Sequence, residues 1–302
     1  MKQKWGNGME KLTLDNIERY IELNNELAFD DSYVLKTTRN EFLKTNMENI
    51  KSKFLDIFVL SCNSEDIGFI EIFKETDKAM VETIYVKKQH RDYNIYKNML
   101  KFIHEYYSNT NIKRIEFTGL NDKDYLAEAL KDSGFIMEKE HIQMEKAIQD
   151  LSSENIRIDS KTFYEIGDKK WIYSFMKECM EESIFNYKEE EIDELTHTNS
   201  DLVFVLFESN KPIGFIISYI NEKRNKQENK KVIYIEEIAV LKDFRNKGYG
   251  YKLIEFILDK GRSNGMDTGR LHVYRHNEKA YGLYKKLGFD DIKSIGHWAK
   301  TL

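Results

Sequence analysis

The chain has 302 residues, of which 41% are hydrophobic and 33% charged, and its formal net charge is −5. This length predicts two domains, each long enough to bury a core of its own. The negative charge argues against a general nucleic-acid-binding protein, which carries a basic face, and two cysteines provide neither a disulfide framework nor metal-ligand spacing.

The N-terminus is polar and lacks the apolar core of a signal peptide. No stretch of the sequence approaches the length needed to span a bilayer. We therefore predict a cytoplasmic protein, held in a reducing compartment, that associates with neither membranes nor nucleic acid.

Hydrophobic periodicity predicts helices and strands in the same order in both halves of the chain. Each half opens with helices, expected in the second half at 162–181 and 188–195. In the first half, strands follow at 54–61, 66–74, 79–86 and 112–118, with helices at 95–107 and 125–132. In the second half, strands follow at 202–208, 212–221, 232–240, 269–274 and from 289 onward, with helices at 249–261 and 278–287. Asn277 is a predicted N-cap and Gly288 a predicted helix terminator.

The two halves also repeat at the level of sequence. Residues 84–103 and 238–257 correspond at an offset of 154, as from Arg91 to Arg245, and Gly134 corresponds to Gly288 at the same offset. An earlier pair, Gly68 and Gly214, is offset by 146. The eight additional residues fall in the polar run 221–231, which is predicted as a longer hairpin loop. The expected fold is α/β, with two tandem domains at 1–150 and 151–302, each a mixed twisted sheet flanked by helices.

A glycine-containing turn between a strand and a helix is the sharpest motif. It reads Arg245-Asn246-Lys247-Gly248-Tyr249-Gly250. A helix N-terminus offers unsatisfied N–H donors to a phosphate, and the glycines allow close approach of the main chain. Arg245 and Lys247 add positive charge. The alternative is an ordinary strand-to-helix turn, because short glycine motifs also match by chance.

This turn resembles the R/Q-x-x-G-x-G/A signature of the GNAT family of N-acetyltransferases. Downstream, the stretch from Asn277 through Ala280 and Tyr284 to Gly288-Phe289 is similar to the family's N-x-x-A-x-x-x-Y-x-x-x-G-F helix. The resemblance covers the chain from about residue 201 to the end, and the first half in outline. The tandem layout, with one degenerate and one intact copy, resembles that of mycothiol synthase in architecture.

The resemblance implies acetyl-CoA as cofactor and assigns the residues that hold it. The turn would bind the pyrophosphate of coenzyme A, the end of the preceding strand would hold the pantetheine through its main chain, and Asn277 would be a further contact. The implied cofactor-binding residues are Ile238, Ala239, Val240, Arg245, Asn246, Lys247, Gly248, Tyr249, Gly250, Tyr251 and Asn277.

The first half departs from this pattern at the turn. Asn94 and Tyr96 stand where Gly248 and Gly250 stand in the second half. The Tyr96 ring is expected to block a phosphate. We therefore predict that the first half is a degenerate copy that does not bind acetyl-CoA in the family's manner.

Acetyl transfer to an amine needs a base for the amine, a polarised carbonyl and a proton donor for the departing thiolate. Tyr284 is the candidate donor, because the resemblance places it where the family often uses a tyrosine; the alternative is a tyrosine packed in the core. Glu236 and Glu237 are the candidate bases, with Glu236 slightly preferred. Strand alternation puts the two on opposite faces unless a bulge intervenes, and one of them is expected to be a structural ion-pair partner. A strand N–H near Ile238 would polarise the carbonyl.

The predicted function is acetyl-CoA-dependent transfer of an acetyl group to an amine of a small molecule or peptide. Neither cysteine lies in the motifs, which favours direct attack in a ternary complex. Two rivals stay open: a non-catalytic acyl-CoA-binding sensor or regulatory protein, and a dimeric structural partner with a vestigial site. No metal site is expected, and a homodimer is compatible with the sequence.

Overall fold

A computed structural model describes residues 8–30, 34–120, 125–148, 158–180, 187–197 and 202–302. The strands are β1 (Met9–Lys11), β2 (Leu55–Cys62), β3 (Glu65–Lys74), β4 (Lys78–Val86), β5 (Arg114–Leu120), β6 (Ile136–Ala147), β7 (Ser160–Thr162), β8 (Val203–Glu208), β9 (Lys211–Ile220), β10 (Val232–Val240), β11 (Thr268–Tyr274) and β12 (Asp290–Thr301). The helices are α1 (Glu18–Asp30), α2 (Arg39–Lys51), α3 (Tyr93–Tyr107), α4 (Tyr125–Asp132), α5 (Phe163–Ile166), α6 (Lys169–Cys179), α7 (Glu189–His197), α8 (Glu222–Glu228), α9 (Tyr249–Ser263) and α10 (Glu278–Lys286). The predicted α/β class is confirmed.

The chain forms two compact units. The first comprises residues up to Ile142 together with 274–276 and 293–302, and the second comprises 143–273 and 277–292. The change of unit falls within β6, and most of β12 belongs to the first unit. The predicted domain boundary, near residues 148–155, lies largely outside the described residues. The division into a degenerate half at 1–150 and a catalytic half at 151–302 stays a prediction.

The first unit is a mixed sheet in the order β1-β2-β3-β4-β5-β12. Its pairs are antiparallel except β4 with β5. Because side chains alternate across a strand, neighbouring residues bury opposite faces. Val59 and Phe69 pack in one core with α1 and α2, whereas Phe58 and Ile70 pack in another with α3 and α4.

The second unit has the order β6-β11-β10-β9-β8-β7, with β10 and β11 parallel. On one face, α5, α6 and α7 pack on Val205 and Phe215. On the other, Phe204 meets Phe256 of α9 edge-on, with ring centroids 5.0 Å apart. The apolar face predicted for this helix is buried, and its members are Leu253, Ile254, Ile257 and Leu258.

Most predicted elements are present within two residues of their expected ends, but two predictions are wrong. The single helix expected at 162–181 is divided, because Gly167 ends α5 in a left-handed conformation (φ 68°) and Asp168 caps a new helix by accepting from the Trp171 N–H. The polar run expected as a hairpin loop contains α8, whose N-cap Asn221 accepts from the Arg224 N–H. β1, β6 and β7 were not among the predicted elements.

Candidate functional site

A β-bulge in β10 positions the two candidate bases. The register against β9 runs from Ile235 opposite Ser218 to Glu237 opposite Ile217, which leaves Glu236 as the extra residue. Parallel pairing with β11 covers Val232 to Ile235, whereas pairing with β9 continues to Val240. The carboxylates therefore lie where β10 departs from β11, and a bulge breaks the alternation that would place them on opposite faces.

The two carboxyl groups differ in environment. Glu236 is exposed as a residue, and desolvation of its carboxyl group raises its pKa above the ordinary value. Glu237 is more buried, and desolvation, reinforced by the negative charge of Glu236, raises its pKa to about 7. Desolvation disfavours the charged form of an acid, and a neighbouring like charge adds to the effect. At neutral pH, Glu237 is therefore poised between its two protonation states.

Tyr284 of α10 lies within electrostatic reach of the Glu237 carboxylate. Its side chain is 6% exposed and packs against Phe289, with ring centroids 6.0 Å apart. Burial and the negative charge of Glu237 together hold the pKa of its hydroxyl well above the usual value. The ring is thus packed in the core, as the structural alternative required, and its hydroxyl stays protonated within electrostatic reach of Glu237.

Two further tyrosines near the carboxylates were missed in the sequence. Burial, then the charges of Glu237 and Glu236, raise the pKa of Tyr187, and burial with the charge of Glu236 raises that of Tyr219. The Tyr219 ring stacks on Tyr234, with centroids 5.2 Å apart. Neither tyrosine lies in a motif, so only the fold could reveal them.

The turn that follows β10 has an unusual backbone. Asn246 and Gly248 have φ values of 62° and 85°, and Gly248 is the N-cap of α9 with no side-chain hydrogen bond to the helix start. A Cβ at Gly248 would meet nothing within 4 Å, but its conformation is one that L-residues rarely adopt. The first N–H groups of α9 are consequently not capped by a side chain and converge at an exposed turn, which fits an anion such as a diphosphate.

The two basic side chains of the turn do different things. The Arg245 Nε donates to the Val240 carbonyl at 2.9 Å, and its Nη2 donates to the Cys179 carbonyl at 3.1 Å. The Lys247 ammonium lies 5.0 Å from the centroid of the Phe244 ring. Arg245 therefore fastens the turn to the main chain, whereas Lys247 is exposed at its surface.

Asn277 has the predicted capping role. Its Oδ1 accepts from the Ala280 N–H at 3.2 Å at the start of α10. Gly288, with φ 81°, follows the end of this helix as predicted. The cap fixes the direction of α10 and hence the position of Tyr284.

Residues 162–289 match the acetyltransferase (GNAT) family. Over these residues, the chain resembles the GNAT family. It is 32% identical over 108 residues to an uncharacterized N-acetyltransferase of Methanocaldococcus jannaschii, a match that covers 36% of this chain and 47% of the relative. The chain spans less than half of the length of the first curated relatives it matches.

Solved structures share the fold over the whole chain. A GCN5-related N-acetyltransferase from Sphaerobacter thermophilus superposes with a TM-score of 0.71 at 12% identity, covering 99% of this chain and 97% of that one. A tandem GNAT protein from the clavulanic acid biosynthesis pathway gives 0.59 at 10% identity, covering 97% and 98%. The tandem GNAT fold predicted from the sequence is confirmed, and the closer parallel with mycothiol synthase stays a prediction.

The first unit has a β-bulge at the equivalent position of the repeat, but its turn differs. Glu82, at the repeat position of Glu236, is the extra residue between Val81 and Thr83 in the pairing of β4 with β3. However, α3 begins at Tyr93, two residues earlier in the repeat than α9, and Asp92 caps it by accepting from the Asn94 N–H at 2.8 Å. A carboxylate thus caps the helix start in the first unit.

The prediction that the Tyr96 ring blocks a phosphate at the helix start of the first unit is wrong. The Tyr96 side chain is 4% exposed and packs in the core between α3 and the sheet, so its ring does not cover the helix start. Arg91 repeats the bond of Arg245, with its Nε donating to the Val86 carbonyl at 3.0 Å. Both arginines therefore hold the connection between strand and helix.

The described residues contain neither a metal-ligand cluster nor a membrane-spanning helix. No group of three or more His, Cys, Asp or Glu side chains there is placed to hold a metal ion. Among the same residues, no helix is both long and apolar enough to cross a membrane.

Proposed function

We propose that the protein is an N-acetyltransferase that uses acetyl-CoA and transfers the acetyl group to an amine of a small molecule or peptide. The observation that carries the proposal is that Glu237, at the bulge of β10 and with a pKa of about 7, lies within electrostatic reach of the protonated Tyr284 hydroxyl of α10. A base poised near neutral pH and a neutral acid beside it are what amine acylation requires.

Glu237 is the base in this proposal, in preference to Glu236. An alkylammonium loses its proton with a pKa near ~10, so the enzyme must remove that proton to free the nucleophile. Glu237 is the more desolvated of the two carboxylates and the one whose charge reaches Tyr284. Glu236 acts on it through space, because its charge raises the pKa of Glu237.

Tyr284 is the acid. Its raised pKa keeps the hydroxyl protonated across the neutral range, so that it can donate to a thiolate, whose pKa is near ~8.5. Burial fixes the ring, which spares the entropy of ordering it during the reaction.

The residues of the turn fit coenzyme A. Acetyl-CoA supplies the activated thioester when it is bound. The main-chain N–H groups of Gly248, Tyr249, Gly250 and Tyr251 would hold its diphosphate, because these are the donors that α9 leaves without intrahelical partners. Asn246 and Lys247 flank them, Ile238, Ala239 and Val240 present the strand end, and Asn277 stands at the start of α10.

The side of the site where the acceptor would bind favours an amine that is cationic in solution. Glu236 and Glu237 bear negative charge there, and Tyr187 and Tyr219 add aromatic faces within their electrostatic reach. Carboxylates and tyrosine rings both attract ammonium groups. A cationic amine would thus be drawn to the group that deprotonates it.

The pH dependence of kcat/KM tests this assignment. In a thiol-release assay with an amine library, the rate should fall about tenfold per pH unit below pH ~7, because protonated Glu237 cannot accept a proton. Glu237→Gln should remove this acid limb and most of the activity. Glu236→Gln should keep the limb but move it to lower pH, because it removes the charge that raises the pKa of Glu237.

Two results would change the proposal. If Glu236→Gln abolished the limb instead, Glu236 would be the base. If coenzyme A bound but no amine of the library released thiol, a binding or sensory protein would replace the enzyme.

A further inference from the structure

We infer that Arg245 is a positioning residue that couples coenzyme binding at the turn to the closure of the C-terminal end of α6. This helix end lies in the same core as Tyr187, on the side of the site where the acceptor amine is proposed to bind, called here the acceptor side. This inference rests on the proposed function, since it takes coenzyme A as the ligand of the turn. It assigns to Arg245 a role other than contact with the diphosphate.

The guanidinium joins three segments of the second unit. Its own residue belongs to the turn, Nε bonds to Val240 at the end of β10, and Nη2 bonds to Cys179 in the last turn of α6. The planar fork of an arginine can hold two carbonyls at fixed directions, which a lysine cannot. Two of the guanidinium donors are therefore engaged by main chain and not directed at a ligand.

The bond to Cys179 acts at a helix end that needs a donor. The last four carbonyls of a helix have no intrahelical partner, and a cation there also meets the negative end of the helix dipole. α6 ends at Cys179, with Met180 as its C-cap. Loss of the guanidinium would remove a charged donor from this end of α6.

The end of α6 belongs to the same core as the acceptor side. Cys179 is fully buried in this core, and Tyr187 and Ala239 pack against it. Tyr187 in turn lies within electrostatic reach of Glu236 and Glu237. An opening of the α6 end would therefore disturb a tyrosine that lies within electrostatic reach of the carboxylates.

The turn connects the proposed ligand to Arg245 through the main chain. A ligand held by the N–H groups of 248–251 stabilises the turn in one conformation, and Arg245 lies three residues before Gly248. If ligand binding favours one conformation of the turn, it also favours the hydrogen bonds that Arg245 makes in that conformation. Ligand binding therefore favours the closed end of α6.

Thiol labelling of Cys179 measures this coupling without any turnover. The sequence has two cysteines, and Cys62 is exposed, so a Cys62→Ser protein has Cys179 as its sole thiol. Burial raises the pKa of Cys179 to about 12, and it should react with a disulfide reagent only when the end of α6 opens. Desulfo-coenzyme A serves as the ligand, because it carries no thiol.

In the Cys62→Ser parent, saturating desulfo-coenzyme A should slow labelling about tenfold, the effect of one charge-assisted hydrogen bond. In Arg245→Gln, saturated with the same ligand as judged by calorimetry, the slowing should be under twofold. Lys247→Gln is the matched control in the same turn. It should weaken binding yet keep the full slowing once saturated.

The outcomes separate the two proposals. Retained slowing in saturated Arg245→Gln, or equal loss in Lys247→Gln, overturns the coupling. If Arg245→Gln does not fold, Arg245→Lys replaces it and should also lose the slowing, because a lysine keeps the charge without the fork; full slowing in that variant overturns the coupling as well. Ligand binding without slowing in the parent overturns the coupling alone, whereas no binding at all overturns the proposed function with it.

Discussion

At the scale of single residues, the candidate chemistry depends on burial. Desolvation raises the pKa of both Glu237 and Tyr284; the charge of Glu236 adds to the effect at Glu237, and the charge of Glu237 adds to it at Tyr284. Raised values suit a base that works near neutral pH and an acid that must not ionise. The sequence placed both residues correctly at a strand and a helix, but it could not tell Glu236 from Glu237, because the extra residue of a bulge leaves no mark in the hydrophobic pattern.

Replacement of Tyr284 by phenylalanine should lower kcat by roughly 10²-fold or more, since it removes the proton donor and keeps the ring. The dissociation constant of acetyl-CoA should change little. Tyr281→Phe is the matched control, because Tyr281 lies in the same helix and donates to Asp291 at 2.8 Å. Steady-state kinetics and calorimetry measure the two effects. Equal losses in both variants would mean that α10 as a whole, and not the Tyr284 hydroxyl, supports turnover.

At the scale of elements, local chemistry at helix ends explains both the successes and the failures of sequence prediction. Asn277 and Gly288 bound α10 as expected. Gly167 and Asp168 divide an expected long helix, although the apolar spacing continues through them. The polar run before β10 forms α8 because Asn221 caps it and Asn225 is buried and donates to the Val232 carbonyl at 2.9 Å. Hydrophobic periodicity carries neither kind of information.

The two ends of α9 provide a matched pair for testing the glycine turn. Gly248 and Gly265 flank the helix with φ values of 85° and 78°, and a Cβ at either would meet nothing within 4 Å. Alanine at either position should therefore lower the free energy of unfolding by a similar amount, about 1–2 kcal/mol, from backbone strain alone.

Only one of these two substitutions should change the affinity for coenzyme A. Gly248→Ala should weaken coenzyme A binding about tenfold or more, because it alters the N–H groups that converge at the start of α9. Gly265→Ala should leave the affinity unchanged. Chemical denaturation and calorimetry report the two quantities separately. Equal affinities in the two variants would exclude this turn as the diphosphate site.

At the scale of the whole molecule, the repeat was visible in the sequence. The sequence did not show that segments from the C-terminal half belong to the first unit. The offset of 154 residues predicted two copies of one fold, and bulges at Glu82 and Glu236 follow that offset. That residues 293–302 complete the first unit could not be predicted from the sequence. Strand pairing is a long-range property, and the alternation in β12 is equally compatible with either sheet.

The copies should differ in the number of coenzymes they bind. In the first unit, Asp92 places a carboxylate at the start of α3, where it satisfies a main-chain donor and repels an anion. In the second, Gly248 leaves the donors uncapped by a side chain. Calorimetry with desulfo-coenzyme A should therefore give one equivalent per chain, and in Gly248→Ala that same equivalent should weaken. A second equivalent, or a component of the heat that the substitution leaves untouched, would show that the first unit binds coenzyme A despite its carboxylate cap.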